Sequence, residues 1–444
     1  MSFKRIGVLG GGLSGLSQAL KQENLGHQVH LIESSKRLGG VLQSINKDGY
    51  LLDYGANTLS LRLQRTAKTL DSYGVLPHAI NANPEANKRF IVRKGRLIAL
   101  PTSPFSFLTN PFLSPWGKMR LFLEPLLPKG KSAHDESVAQ FITRRLGKEA
   151  LEYCMNPFIS GIYASKPESL SLSNAFPTLH QMERDHRSLF LAFLSQKSRL
   201  DRLPKTRLIS FEGGMEDLII RMADHFKGEV SLGCRVLEIN RLDNGWKVLA
   251  KNEDQSQNEW VFDEVICTLP SHALTEISWK NLKGSDQISG ISETREYPLN
   301  LVYLGFDASH IKHPLDGFGF LVPERENLSI LGSLFSSTLF PGRAPEGKVL
   351  LTTFIGGEGK PELTQLEDEQ TYELVLSELS QLLGISGKPC FRHLKRWSRG
   401  IPLPDFSMRG RIESRDSIER SNPNLHITGA HLTGVSLPNC IDGI

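Results

Sequence analysis

Residues 6–15 read Ile-Gly-Val-Leu-Gly-Gly-Gly-Leu-Ser-Gly. The stretch joins a short apolar strand to a helix through a turn almost free of side chains, with Gly10, Gly12 and Gly15 in G-x-G-x-x-G spacing. Bare backbone lets N–H groups and a helix N-terminus approach a pyrophosphate closely. Gly26 is placed to stop the helix, and a second apolar strand, Val29-His30-Leu31-Ile32, follows. Glu33 closes that strand 18 residues after Gly15. A carboxylate at this point can accept hydrogen bonds from the 2′- and 3′-hydroxyls of an adenosine ribose. A strand before, a helix after and an acid at this spacing together predict binding of an ADP-containing dinucleotide.

The composition is that of a globular enzyme. The 444 residues are 39 % hydrophobic and 23 % charged, enough for two or three domains with large cores. A net charge of +4 without a long basic run gives no support to a nucleic-acid partner. The five cysteines (Cys154, Cys234, Cys267, Cys390, Cys440) form no C-x-x-C pair, so neither a zinc site nor a disulfide scaffold is expected. No metal is expected at all. The first strand begins by about residue 5, which leaves no room for a signal or transit peptide. No apolar run approaches the ~18 residues of a spanning helix. A cytoplasmic protein is expected, at most peripheral on the inner face of the plasma membrane.

Beyond the opening unit come two extended segments about Asp48-Gly49, then a helix over 61–73 ended by Gly74. A hairpin runs from Arg89–Val92 through Lys94-Gly95 to Leu97–Leu100. Residues 101–204 differ in character, with interleaved prolines and aromatics (Phe105, Phe107, Phe112, Trp116) and helical patterns at 119–127, 137–146 and 189–194. Met215, Leu218, Met222 and Phe226 fall on one helical stripe. Strands near 230–232, 235–239, 247–250 and 265–269 are expected to return the chain to the βαβ layer. Residues 299–356 are rich in strand signals, 368–383 read as a helix, and 425–428 as the final strand. No internal repeat is found.

Downstream of Glu33, Arg37-Leu38-Gly39-Gly40 resembles the arginine-plus-double-glycine motif of FAD-dependent amine oxidases, phytoene desaturases and protoporphyrinogen oxidases, which NAD-dependent dehydrogenases lack. Over nearly the whole chain the sequence resembles the oxygen-dependent protoporphyrinogen IX oxidases, most of all the plant mitochondrial type. The blocks that carry the likeness are Asp53–Ser60, Asn87-Lys88-Arg89-Phe90, Phe122-Leu123-Glu124-Pro125, Asn156–Gly161, Phe318–Pro323, Leu334–Ser337, Thr352-Thr353-Phe354 and Gly434-Val435-Ser436. The resemblance implies a mixed α/β chain. Its Rossmann-like FAD-binding domain, of the p-hydroxybenzoate hydroxylase/amine oxidase type, would be discontinuous (1–85, 205–275 and 395–444). A β-rich substrate domain would comprise 86–100 and 276–394, and a helical membrane-binding insertion 101–204.

One non-covalent FAD is implied. Gly10, Gly11, Gly12, Leu13, Ser14 and Gly15 would hold its pyrophosphate, and Glu33 and Ser34 its ribose. Arg37, Gly39 and Gly40 complete that motif. Gly55, Ala56, Asn57 and Thr58 would run beside the flavin, where small residues let the chain come close. Val236 would meet the adenine through its backbone. Trp397 and the turn Val435-Ser436-Leu437 would close over the ring system, although a tryptophan here also reads as a plain core aromatic. Arg89 would bind a propionate of the macrocycle, since a guanidinium holds a carboxylate bidentately and keeps its charge. The alternative for it is a surface arginine on a hairpin. Leu321 and Leu334 on one side and Phe354 on the other would enclose the macrocycle, with Gly161 and Asn57 in the same pocket. Read alone, each of these apolar residues is an ordinary strand core position.

No side chain is expected to act as catalytic acid or base. The implied reaction is three successive hydride removals from protoporphyrinogen, with O₂ reduced to hydrogen peroxide. Apolar and aromatic groups over 105–127, flanked by Lys118, Arg120, Lys129 and Lys131, would suit a peripheral membrane surface, or equally a helical domain with a solvated basic face. By resemblance a homodimer is allowed. By the resemblance, family members continue past Gly-Val-Ser with a full helix facing the flavin, whereas here Asp442-Gly443-Ile444 leaves about two turns: either the chain is incomplete or the flavin is held with less help from the helix dipole. Three alternatives stay open: coproporphyrinogen with its four propionates, an amine oxidase or carotenoid desaturase, and a flavin-free binding protein of the GDP-dissociation-inhibitor kind.

Overall fold

The opening strand, Arg5–Leu9, lies at the centre of a five-stranded parallel sheet ordered Glu229–Ser231, Gln28–Ile32, Arg5–Leu9, Glu264–Cys267, Leu425–Ile427. The computed structural model describes residues 3–128, 130, 135–186, 188–192, 195 and 206–443. Ile6, Val8 and Leu9 are fully buried, as a central parallel strand covered on both faces requires. Helix Leu13–Asn24 packs Leu16, Ala19 and Leu20 into the same core as Leu218 and Met222 of helix Glu216–His225. The stripe read from the sequence thus faces inward.

Two of the strands expected in this layer lie elsewhere. Arg235–Leu242 and Gly245–Lys251 pair antiparallel with each other, and with Gln257–Phe262 and Ser278–Lys280 they form a separate four-stranded sheet. Gly245–Lys251 buries every second residue (Trp246, Val248, Ala250), the signature of a sheet covered on one face only. The expected boundary at 275/276 therefore cuts a sheet, since Ser278–Lys280 pairs with Arg235–Leu242. The boundary at 394/395 cuts the strand Phe391–Trp397.

That strand is the edge of a seven-stranded sheet ordered Phe391–Trp397, Leu299–Asp307, Lys348–Gly356, Ile330–Phe335, Gly317–Leu321, Lys88–Arg93, Arg96–Ala99. Its last two strands are the hairpin read from the sequence, with Lys94 (φ +52°) and Gly95 (φ +70°) both left-handed in its turn. On one face, Val302, Leu304, Phe320, Phe335 and Leu351 meet Val375, Leu379 and Leu383 of helix Asp368–Leu383. The other face looks toward the opening domain. The helix expected over 61–73 is shorter, Gln64–Ser72, because Leu59–Leu61 pairs with Arg207–Phe211.

The helical segment contains Pro104–Thr109, Pro115–Phe122, Val138–Leu146, Asn156–Tyr163 and Pro177–His186. The flanking Lys129 and Lys131 and the end of the 189–194 pattern lie outside the described residues. No helix among the described residues is long and apolar enough to cross a membrane.

Candidate active site

The glycine turn is held by backbone and by one threonine. Gly10 (φ +100°) donates its N–H to Ile32 O at 2.8 Å, and Thr268 Oγ1 donates to Leu9 O at 2.9 Å. A Cβ at Gly15 would overlap the Gly10 carbonyl oxygen. Gly12 differs: nothing lies within 4 Å of where its Cβ would stand. It caps helix Leu13–Asn24 without any side-chain hydrogen bond, and the first turn carries no acid. Unfilled space, uncapped N–H groups and the positive end of a helix dipole are what a pyrophosphate requires. The cradle fits the ADP half of a dinucleotide. Ser14 is half-buried in that first turn.

Glu33 is buried beside it. Its Oε2 accepts the Gly11 N–H at 2.6 Å, and its Oε1 accepts from the Ser35 N–H at 2.7 Å and Ser34 Oγ at 3.2 Å. The acid therefore ties the end of the second strand to the glycine turn. Glu33 O accepts the Cys234 N–H at 2.8 Å, which brings Val236 alongside. Val236 pairs with Ala250, and the ladder slips by a bulge between Val236 and Glu238. Glu33, Ser34 and Val236 thus share one corner.

The double glycine rests on the first glycine motif. Gly39 (φ +109°) donates to Gly11 O at 2.7 Å and bridges Gly12, and a Cβ at Gly40 would stand 3.3 Å from the Gly12 Cα. The Arg37 guanidinium does not point into the cradle. It donates to Gly40 O at 2.6 Å, Leu42 O at 2.9 Å and Leu38 O at 3.0 Å, and pairs with Glu216 at 3.2 Å. Through these contacts Arg37 clamps its own loop. Asp53 anchors the next turn through Ser44 Oγ at 2.6 Å and the Met215 N–H at 2.7 Å, and burial pushes its carboxyl up against the opposing pull of Arg343.

Gly55, Ala56, Asn57 and Thr58 leave this turn half-buried, and a Cβ at Gly55 would overlap the Val41 carbonyl. The indole Nε1 of Trp397 donates to Tyr54 O at 2.9 Å, so the edge strand is fastened where that segment begins. Tyr54 stacks on His393 (5.6 Å, 3°), and its hydroxyl lies 2.6 Å from His393 Nε2. Lys395, between His393 and Trp397 on the strand, lies over the rings of Tyr54 and Trp397. His393 and Lys395 were absent from the sequence reading; only the alternation His-x-Lys-x-Trp on one strand marks them. Beyond them, Ser436 caps the short helix Leu437–Asp442, and Val435 precedes it in the turn. The helix is seated on the opening domain by Ser17 Oγ to Ile441 O at 2.5 Å and Thr66 Oγ1 to Asp442 at 2.8 Å.

The strand register gathers the proposed substrate residues on one face. Arg89 lies opposite Gly319, Gly319 opposite Leu334, and Leu334 opposite Thr352. One step along, Leu321, Gly332 and Phe354 form the next row, which continues through Leu301 to Lys395. Side chains two apart on a strand share a face. Leu321, Leu334 and Phe354 are only half-buried, whereas their neighbours Phe320, Phe335 and Ile355 are 3 %, 0 % and 0 % exposed. Helix Asn156–Tyr163 crosses this face, and a Cβ at Gly161 would press on Leu321 Cδ2. Arg89 is exposed at the margin. It donates to Asn87 O at 3.2 Å and has no carboxylate partner among the described residues. Asn57 bonds within its own turn, to Gly55 O, at 3.4 Å. No group of three or more His, Cys, Asp or Glu able to hold a metal occurs among the described residues.

The family model for flavin containing amine oxidoreductase matches residues 13–443. Protoporphyrinogen oxidase 2, chloroplastic/mitochondrial, of Arabidopsis thaliana is 34 % identical over 99 % of this chain and 92 % of its own. Coproporphyrinogen III oxidase of Bacillus subtilis (strain 168) is 28 % identical over 99 % of this chain and 96 % of its own. A crystal structure from Exiguobacterium sp. 255-15, 24 % identical, shares the fold with a TM-score of 0.81 over 100 % of this chain and 97 % of that one. With the cradle, the acid and the double glycine in place, the chain belongs to the flavin containing amine oxidoreductases, and a flavin is the cofactor this cradle is built to hold.

Proposed function

We propose that the chain oxidises protoporphyrinogen IX to protoporphyrin IX, the aromatising step of haem synthesis, with one non-covalent FAD and with three O₂ reduced to three hydrogen peroxide. The observation that carries the reading is the Arg89 guanidinium, unpaired with any carboxylate among the described residues, at the margin of a half-buried apolar face. A greasy macrocycle whose charges are two propionates matches that face. Bound FAD supplies a two-electron acceptor.

The chain's own residues bind and orient. Arg89 fixes a carboxylate as a charged fork, and Leu321, Leu334 and Phe354 exclude water from the ring. Gly161 keeps the crossing helix close to Leu321. The relative that bears the coproporphyrinogen name supports a second reading with the same chemistry and a four-propionate substrate. Comparing kcat/KM of FAD-loaded protein for the two porphyrinogens decides between them: a clear preference for protoporphyrinogen supports the first reading, and a preference for coproporphyrinogen replaces it with the second.

We also propose peripheral attachment to a membrane on the cytoplasmic side. Phe105, Trp116, Phe122 and Leu126 are 77 %, 76 %, 58 % and 73 % exposed, a concentration of apolar surface unusual for a protein surrounded by water. Buried Glu124 accepts the Leu189 N–H at 3.0 Å and Ser188 Oγ at 2.5 Å, which fixes exposed Phe190 and Leu191 to the same region. Co-sedimentation with anionic vesicles supports attachment, and full recovery in the supernatant removes it.

A further inference from the structure

Lys395 is a half-buried cation with an aromatic seat. Its Nζ lies 4.4 Å from the Trp397 ring centroid and 5.0 Å from that of Tyr54. Among the described residues no carboxylate pairs with it. The groups that act on it are burial and then the like charge of Arg37, both of which push its pKa down. Arg37 has Glu216, so the surplus positive charge at this junction belongs to Lys395. The other titratable groups facing it are Tyr54 and His393. Burial raises the first and lowers the second, which leaves both neutral near pH 7.

The position of this charge gives it a use. Lys395 shares a sheet face with Leu301 and Phe354, and its neighbour Trp397 is fastened to Tyr54 O, where the Gly55–Thr58 segment starts. The Arg37 loop on its other side rests on the pyrophosphate turn through Gly39 and Gly40. The ammonium therefore stands where the cofactor cradle meets the substrate face. Oxidised isoalloxazine is neutral, whereas the two-electron-reduced ring readily carries a negative charge. A fixed cation nearby favours the charged form, and more strongly out of water than in it.

We infer that Lys395 tunes the bound flavin by stabilising its reduced, anionic form. The inference rests on the FAD reading above. Its test uses the holoprotein and the variants Lys395→Met and Lys395→Arg. Two quantities are measured: the dissociation constant of oxidised FAD, by fluorescence, and the two-electron midpoint potential, by dye equilibration. Lys395→Met should lower the equilibrium constant for reduction about tenfold, a potential ~30 mV more negative. Its affinity for oxidised FAD should change less than about threefold, and Lys395→Arg should keep the wild-type potential. An unchanged potential in Lys395→Met overturns the inference alone. Loss of oxidised FAD from that variant also overturns it, by making Lys395 a ligand of the resting cofactor. A wild-type chain that binds no FAD overturns both this and the reading beneath it.

Discussion

The guanidinium of Arg89 lies over the ring of Phe318, 4.8 Å from its centroid. The aromatic shelf holds the cation in place through its face, and one N–H is spent on Asn87 O. The rest of the fork remains available to a carboxylate. Arg89→Ala should cost ~1.5–3 kcal/mol of substrate binding, which is roughly a 10- to 150-fold rise in KM. Because the contact is made equally in ground and transition states, kcat should change little. Arg89→Lys, which keeps the charge and loses the fork, should fall between. Steady-state kinetics decide the matter, and an unchanged KM removes Arg89 from the site.

Two glycines of one turn should fail differently. A Cβ at Gly15 meets backbone that cannot move away, so Gly15→Ala should lower both thermal stability and FAD binding. At Gly12 the space is open. Gly12→Ala should cost the apoprotein no more than about 1 kcal/mol, as at other helix caps, while raising the FAD dissociation constant at least about tenfold by intruding on the cradle. Melting curves and FAD titrations of both variants test this. Equal FAD affinity in Gly12→Ala and wild type would place the pyrophosphate elsewhere.

Arg37 should matter through its loop. Its three carbonyl contacts and the Glu216 pair hold residues 38–42 against Gly11 and Gly12. Arg37→Ala should open that loop to limited proteolysis and weaken FAD binding. Glu216→Gln, which keeps a hydrogen-bonding oxygen, should do less. If Arg37→Ala left cleavage unchanged and still lost FAD, the arginine would be a direct ligand.

A pH signature should come from the back of the parallel sheet. Hydrogen bonding to His426, helped by Lys4 at 2.6 Å, holds the Glu264 carboxyl down at about 2, and the same bond raises His426 above its ordinary value. The depressed acid stabilises the fold above its unfolded pKa and loses that contribution as pH falls toward 2. The raised histidine contributes fully below about 6.5 and loses its share as pH climbs through its folded pKa. The Tm difference between wild type and His426→Ala should therefore be larger at pH 5.5 than at pH 8.5. Equal differences at the two values would mean that the pair does not form.

What the sequence made readable was local. The turn at Gly10–Gly15, the Lys94-Gly95 hairpin and the helix Asp368–Leu383 announce themselves through residue type and period, and each forms where that reading puts it. The destination of Arg235–Lys251 did not, because a short apolar strand carries no label for the sheet it joins. The alternating burial of Trp246, Val248 and Ala250 was present as a pattern, but its meaning depends on what covers the other face. Arg37 reads as a cofactor residue because it stands beside two glycines. Glu216, with which it pairs, is 179 residues away and left no mark in that reading. Phe320 and Leu321 are both apolar strand residues, and only the register sets Phe320 in the core and Leu321 on the proposed substrate face. Lys395 was missed for the plainest reason: a lysine on an edge strand normally faces water.

In the proposed reaction electrons pass from a porphyrinogen to a flavin held in this cradle. The most direct measurement mixes FAD-loaded protein with protoporphyrinogen IX in the absence of oxygen and follows the visible spectrum. The oxidised-flavin absorbance should bleach as porphyrin absorbance appears, and admitting O₂ should restore the flavin and release hydrogen peroxide. Flavin that keeps its colour while protoporphyrinogen and coproporphyrinogen alike remain reduced would contradict it.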